Sequence, residues 1–570
     1  MSDQKNLILA VVFSLLVLFI YQKVFVEPQL AEQRAVEFQS LADDGGQGFF
    51  VEDSAVEGPG AIPETTTTST PEPSPRIEIA TMRLSGSLAL RGARFDDLIL
   101  NDYVETLDDD SPNIRILKPG ENNGAYYAEF GWASREGSDL LLPDSNTIWS
   151  TTDHTLRTEN PIELIWDNGA GLTFRRIISI DDNYIFTIQD MVENRSGAPI
   201  DLAPYGLIAR HETPEISKFF ILHEGPLGVF DEGLEEIDYE DLAEDGPVRF
   251  QSTGGWMGIT DKYWLTALIP DQNMRLNSRF MYRNQGGDRY QIDYLGTAQT
   301  IGNGETITSE TSLFVGAKEV QLIDAYEDDL GIPLFDRSID WGWFYFLTKP
   351  IFYTLEFLFG IFGNFGVAIL VLTVFIKLLF FRLATKQYTS MSKMKKLQPK
   401  MTELRERYKD DKAKQQQEIM ALYKKEKVNP AAGCLPILLQ IPVFFALYKT
   451  LFVTIEMRQE PFFGWIQDLS APDDMTFITL FGYLPWDAPT FLLIGIWPIF
   501  MGLTMYLQMK LNPQSPDPIQ AKIFMFMPIF FTFILASFPA GLVIYWTWNN
   551  LLSILQQWLI MRRMGVSVGD

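Results

Sequence analysis

Apolar and polar residues follow three successive rhythms along this chain. Leu7 to Tyr21 are apolar apart from Ser14, preceded by Lys5 and extended by Val24 to Val26. No small-x-small cleavage pattern follows, because the next residues are Glu27-Pro28-Gln29-Leu30, so residues 1–26 are expected to form an uncleaved membrane anchor. From about Arg76 to Val320 the rhythm has period two. In Asn183 to Asn194, Tyr184, Phe186, Ile188 and Val192 alternate with Thr187, Gln189 and Met191, after the turn residues Asp181-Asp182-Asn183. Further strands are read at Leu172 to Ile180, Tyr263 to Ile269, Arg289 to Leu295 and Thr306 to Val315. Such short strands predict an all-β sandwich domain over residues 76–340. Between anchor and sandwich, residues 27–75 include PETTTTSTPEPSP, a composition that buries too little apolar surface to fold and reads as a flexible tether.

The third rhythm is helical. At Trp341 the chain turns aromatic, WGWFYFLTKPIFYTLEFLFGIFG, with Lys349, Tyr353 and Glu356 set against Ile351, Phe352, Leu355 and Phe359. Residues 341–362 are therefore expected to hold an amphipathic helix in the membrane interface, with Pro350 near its first turn. Gly363-Asn364-Phe365-Gly366 is a turn into a long apolar part, residues 363–570. Its spans are Phe365 to Phe381, Ala431 to Ile455, Phe491 to Leu511, Ile523 to Phe538 and Leu542 to Met561. With the anchor they predict six transmembrane helices. In residues 382–430, Met391, Met394, Leu397, Met401, Leu404 and Tyr408 recur at helical steps, and Ile419, Leu422 and Tyr423 form a second stripe. That pattern predicts a helical hairpin with a kink at Pro399.

Charge orients these parts. Residues 27–340 hold 57 acids and 22 bases, whereas the rest of the 570 residues hold 16 acids and 24 bases. The hairpin alone has fourteen bases against six acids, which assigns it to the cytoplasm. The same rule puts the N-terminus in the cytoplasm, the acidic sandwich outside, and, after six crossings, Arg562-Arg563 back in the cytoplasm. Lys393, Lys395, Lys396, Arg405, Arg407, Lys424 and Lys425 are either a solvated face or a docking arm for anionic lipid headgroups or ribosomal RNA.

Candidate chemistry is sparse. The single cysteine, Cys434, excludes an intrachain disulfide. His154, His211 and His223 match no zinc spacing, and His211-Glu212 and His223-Glu224 are neighbours that a strand would point to opposite faces, so surface or loop histidines are expected. With no phosphate loop, nucleophile elbow or metal-ligand cluster, no enzyme activity, cofactor or metal is expected. Lys377 stands out, because a charge in a membrane helix costs about 2.5 to 3.5 kcal/mol at the centre. It either snorkels past Phe381, about 6 Å along the axis, or joins Thr373 in a polar stripe facing a wet interior. Amides recur in the other spans at Gln440, Gln508, Asn549, Asn550 and Gln556. Polar residues in proline-broken helices also fit a secondary transporter, which would predict an internal repeat that the spans lack. The sandwich by itself fits a carbohydrate-active protein, which would need a converging histidine and carboxylate.

Three long stretches narrow the choice: TKQYTSMSKMKKLQPKM from Thr385, EIMALYKKEKVNPAAGCLPILLQIPVFFALY from Glu418, and FPAGLVIYWTWNNLLSILQQ from Phe538. With them the chain resembles, over essentially its full length, the YidC-type membrane protein insertases of Gram-negative bacteria. The resemblance implies a polytopic α-helical membrane protein with a large periplasmic β-supersandwich of the sugar-mutarotase type, a hydrophilic groove within a five-helix core, and a cytoplasmic hairpin. It implies groove residues Lys377, Thr373, Gln440, Gln508, Tyr545, Trp546 and Asn549. The partners it implies are nascent membrane proteins, the Sec translocon (SecYEG, SecDF), the ribosome and anionic lipids, and not DNA. Two departures are visible. Lys377 stands where the family usually has arginine, keeping the charge without the bidentate fork. The family's basic C-terminal tail is reduced to Arg562-Arg563 and an uncharged stretch closing in Asp570, which argues against ribosome binding through a tail.

Overall fold

The computed structural model describes residues 74–564 apart from 121–123, 136–137, 217–221, 232, 285–286, 410, 427–434, 479–492 and 512–517. The expected anchor and almost all of the tether lie outside the described residues, as do parts of the spans expected from Ala431 and Phe491.

Period-two patterning builds two stacked sheets. Among the described residues one has eleven strands and the other eight, nearly all antiparallel, with Arg76–Ala80 and Thr155–Leu156 pairing in parallel. The strand Leu172–Ile180 falls where the alternation places it, and Ile185–Asn194 buries Phe186, Ile188 and Val192 on one face. Large side chains from both sheets interlock, as where the Phe95 and Phe186 rings meet edge to face at 5.2 Å. Arg176 is sealed inside this interior. It reaches both Asp190 oxygens at 2.6 and 2.9 Å and the Phe130 carbonyl of the opposite sheet at 2.7 Å. The pair satisfies its own charges, which is the condition for burying them. One of the three histidines corrects the expectation of surface or loop positions: His154 is exposed and His223 stands half-buried in a loop, but His211 is buried at the end of a strand. His223 is paired with Asp238, not Glu224, through Nδ1 at 3.1 Å. The strand end at His211 buries a residue that composition alone assigns to the surface.

Helices α1 (Tyr239–Asp245) and α2 (Val320–Leu330) belong to the sandwich. The apolar part continues as α3 (Tyr345–Phe362), α4 (Phe365–Leu379), α5 (Phe381–Arg407), α6 (Lys412–Lys425), α7 (Leu435–Val453), α8 (Ile496–Leu511), α9 (Pro518–Leu535) and α10 (Ala540–Arg563). α3 starts five residues before Pro350, one turn earlier than expected. The proline is accommodated inside the helix, and the Thr354 hydroxyl donates to the Pro350 carbonyl at 2.8 Å. The polar side of α3 faces α2: Lys349 bonds Asp324 and Asp336 at 2.9 and 2.8 Å, and Tyr353 bonds Asp324. Its buried Ile351, Phe352 and Leu355 join one apolar interior that runs unbroken from the sandwich through Trp341 to Leu451 of α7. The loop after α7 adds to this seat, with Arg458 donating to the Val104 carbonyl and Tyr263 meeting Ser470 at 3.5 Å.

Gly363 ends α3 in the left-handed region (φ 63°), a conformation that favours glycine, and the Asn364 side chain accepts the Val367 N–H to start α4. The two helices meet at 120°. α4 ends at Leu379, two residues short of the expected span, because Phe380 breaks it before α5. Among the described residues no single helix is long and apolar enough to cross a membrane; α3 and α4 meet that test only as a bent pair. α10 has the length, 24 residues, but polar side chains interrupt its apolar run. In the hairpin, Leu397 and Met401 are buried with Met394, Ile419, Leu422 and Tyr423 against them, the two stripes read from the sequence, and α5 runs on through Pro399.

Candidate functional site

α10 is the hub of the helical part, packing on α8, α4, α5 and α7. Its Tyr545, Asn549, Ser553 and Gln557 recur every fourth position, share one face, and are all buried. α4 meets that face with Lys377, which is half-buried and whose Nζ donates to Ser553 Oγ at 2.7 Å. Ser553 Oγ donates in turn to the Asn549 carbonyl at 2.7 Å. Thr373, one turn before Lys377, is buried and donates to the Ile369 carbonyl at 2.7 Å. On α7, Gln440 is half-buried. On another side of α10, Asn550 Nδ2 donates to Thr504 Oγ1 of α8 at 3.2 Å.

The expected residues thus divide. Lys377 is joined through Ser553 to the backbone carbonyl of Asn549, and Tyr545 lies buried on the same face of α10. Trp546 turns instead into aromatic packing, its ring 4.7 Å from Phe444 and 5.9 Å from Phe531. Gln508 stands half-buried on α8. Among the described residues no carboxylate pairs with Lys377. An ammonium has three donors, so one bond to Ser553 leaves two for water or an arriving acceptor.

The hairpin is tied to this seam. Gln556 Nε2 donates to the Phe381 carbonyl and Thr385 Oγ1, each at 3.4 Å. Lys396 donates to the Met564 carbonyl at 2.7 Å, at the end of α10 where the helix dipole favours a cation. Of the other expected docking residues, Lys393, Arg407, Lys424 and Lys425 are exposed and Lys395 and Arg405 are half-buried. Arg407 also pairs with Glu403 at 2.6 Å.

A second polar cluster lies where the sandwich meets α7. Lys449 pairs with Asp340 at 2.7 Å, and in the segment after α7 Glu456 accepts the Val320 N–H at 2.8 Å in the first turn of α2. Burial, with Glu319 and Glu356 nearby, pushes the Glu456 carboxyl up to about 7 against the pull of the Val320 N–H. Burial opposes charge on His223, but the Asp238 hydrogen bond and Glu236 override it and raise its pKa. Among the described residues no group of three or more His, Cys, Asp or Glu side chains is arranged to hold a metal ion.

Sequence reasoning missed Ser553, Lys449 and Glu456. The fourfold spacing from Tyr545 to Gln557 was a readable signal for Ser553, since no lipid-facing stripe repeats polar groups in that way.

Comparison with known proteins gives a coherent result. The model of the YidC periplasmic domain matches residues 76–354, and that of the 60Kd inner membrane protein matches residues 357–566. The chain is 50% identical to the membrane protein insertase YidC of Methylobacterium nodulans, over 100% of this chain and 96% of that one. It is equally 50% identical to the protein of that name from Beijerinckia indica subsp. indica, over 100% and 97%. Among solved structures it is similar to an active YidC insertase with its first transmembrane domain resolved, at 19% identity and a TM-score of 0.35, covering 84% of this chain and 91% of that one. Both family models and the end-to-end identity agree: this chain belongs to the YidC family of membrane protein insertases.

Proposed function

We propose that the chain inserts nascent membrane proteins by receiving their polar segments along the seam of α10 while their apolar segments move into lipid. Membership of the family makes it an insertase and not an enzyme, seated in the inner membrane with a periplasmic β-domain. The full-length identity to insertases carries this reading and leaves the transporter and carbohydrate-active alternatives without support. For the mechanism, the supporting observation is the inward bond from Lys377 to Ser553, which favours a groove cation over a snorkelling one. An acidic or polar segment beside Lys377 has less polar surface to carry through hydrocarbon unaided, and that surface is where the barrier lies.

In this reading the anchor and five helices of residues 363–570 make six crossings, with both termini and the hairpin in the cytoplasm. The exposed bases of the hairpin supply a surface for anionic lipids or a ribosome, and the Sec translocon is the membrane partner. Lys377→Ala, Lys377→Arg and Lys377→Glu proteins, reconstituted in vesicles at equal levels, test the groove charge with an acidic-tailed and a neutral-tailed substrate. Arg should retain insertion, and Glu should lower that of the acidic-tailed substrate roughly tenfold, or about 1.4 kcal/mol of barrier. Equal insertion of both substrates by all three forms would sink the groove charge.

A further inference from the structure

We infer that Ser553 is a positioning residue, whose hydroxyl fixes the Lys377 ammonium at the meeting of α4 and α10 and thereby sets the preference for acidic segments. The inference rests on the groove-charge reading above.

A lysine head is a point charge on a stem of rotatable bonds, without the planar fork that orients arginine, so its position depends on what holds it. Here the holder is one hydroxyl. Ser553 has a single proton and two lone pairs, and the proton is committed to the Asn549 carbonyl at 2.7 Å. Its lone pairs are what remain for other partners, and one of them takes the Lys377 ammonium at 2.7 Å. Ser553 is 2% exposed, so water does not compete at this oxygen. Without it the ammonium would lose its partner on the helix bundle and follow its stem towards the end of α4, where Leu378 and Leu379 are exposed.

A merely structural serine would affect all substrates alike, and a positioning one acts through Lys377 alone. The test uses the full chain in vesicles carrying Ser553→Ala, Ser553→Thr, Lys377→Met and the double variant Lys377→Met with Ser553→Ala. The readout is the ratio of acidic-tailed to neutral-tailed insertion. Ser553→Ala should lower that ratio roughly tenfold, the factor for one hydrogen bond to an ion, and Ser553→Thr should restore it. In the Lys377→Met background Ser553→Ala should change nothing further, because the two act as a unit. An unchanged ratio in Ser553→Ala, or the same loss with and without Lys377, overturns the inference while leaving the groove charge intact. A normal ratio in Lys377→Met sinks the groove charge itself.

Discussion

Arg176 in the sandwich and Lys377 in the helical part are both cations drawn into the protein, and their surroundings differ in kind. Arg176 is met by both oxygens of Asp190 and a carbonyl. Asp293 is likewise held by Arg279 at 2.9 Å and Gln291 at 2.6 Å, and Glu129 by Arg94. Lys377 has a hydroxyl, that of Ser553, as its acceptor. A carboxylate partner cancels charge within the scaffold, whereas a hydroxyl holds the cation in place and leaves its field to act on whatever comes near. In the proposed reading the same residue class serves cohesion in one half and recognition in the other.

The largest effect should come from breaking a cancelled pair. Arg176→Met strands Asp190 in an apolar interior and should destabilise the sandwich by about 3 to 5 kcal/mol, read from the thermal loss of β-sheet circular dichroism in the full chain. Lys377→Met leaves no opposite charge behind, so the same melt should move by less than about 1 kcal/mol. If the two variants melt alike, the contrast fails.

A second expectation concerns the junction, where both habits meet. The Glu456 carboxyl is raised from its ordinary value of 4.5 to about 7 with the sandwich seated. The seated form therefore keeps a proton that the unseated form releases between those values. Seating is strongest at the acid end and weakens as pH rises through 7, by on the order of 3 kcal/mol in all. Hydrogen exchange at the Val320 amide, corrected for intrinsic rate, should be slower at pH 5 than at pH 8, and Glu456→Gln should flatten the difference. The smallest effect is at Asn364, whose side chain caps α4 and donates to the Pro461 carbonyl at 3.2 Å. Asn364→Ala should lower stability by about 1 kcal/mol in the same melt, with Asn364→Asp recovering the cap.

Local features were legible in the sequence. Leu172–Ile180, the turn at Gly363-Asn364 and the hairpin stripes all depend on residues a few positions apart, and periodicity reads them directly. The groove candidates were legible as residue types, because a cation or an amide in an apolar run has few explanations. Partnerships were not. Asp190 sits on the apolar face of its strand, and its burial makes sense only with Arg176 brought alongside by strand pairing. Ser553 lies 176 residues from Lys377, and no local pattern links them. The polar stripe of α3 looked ready for lipid headgroups because nothing in residues 341–362 reveals that Asp324 and Asp336 lie against it.

The unbroken interior from the sandwich through Trp341 to α7 has a consequence in time. Synthesis runs from the N-terminus, so the last strand of the sandwich, ending at Ala317, is complete long before Glu456, Arg458 and Ser470 exist. The domain reaches the far side of the membrane and folds while the surface it will rest on is still unmade. Its docking therefore waits for α7 and the loop to Ser470, and not for α8, α9 and α10, which follow them in the chain.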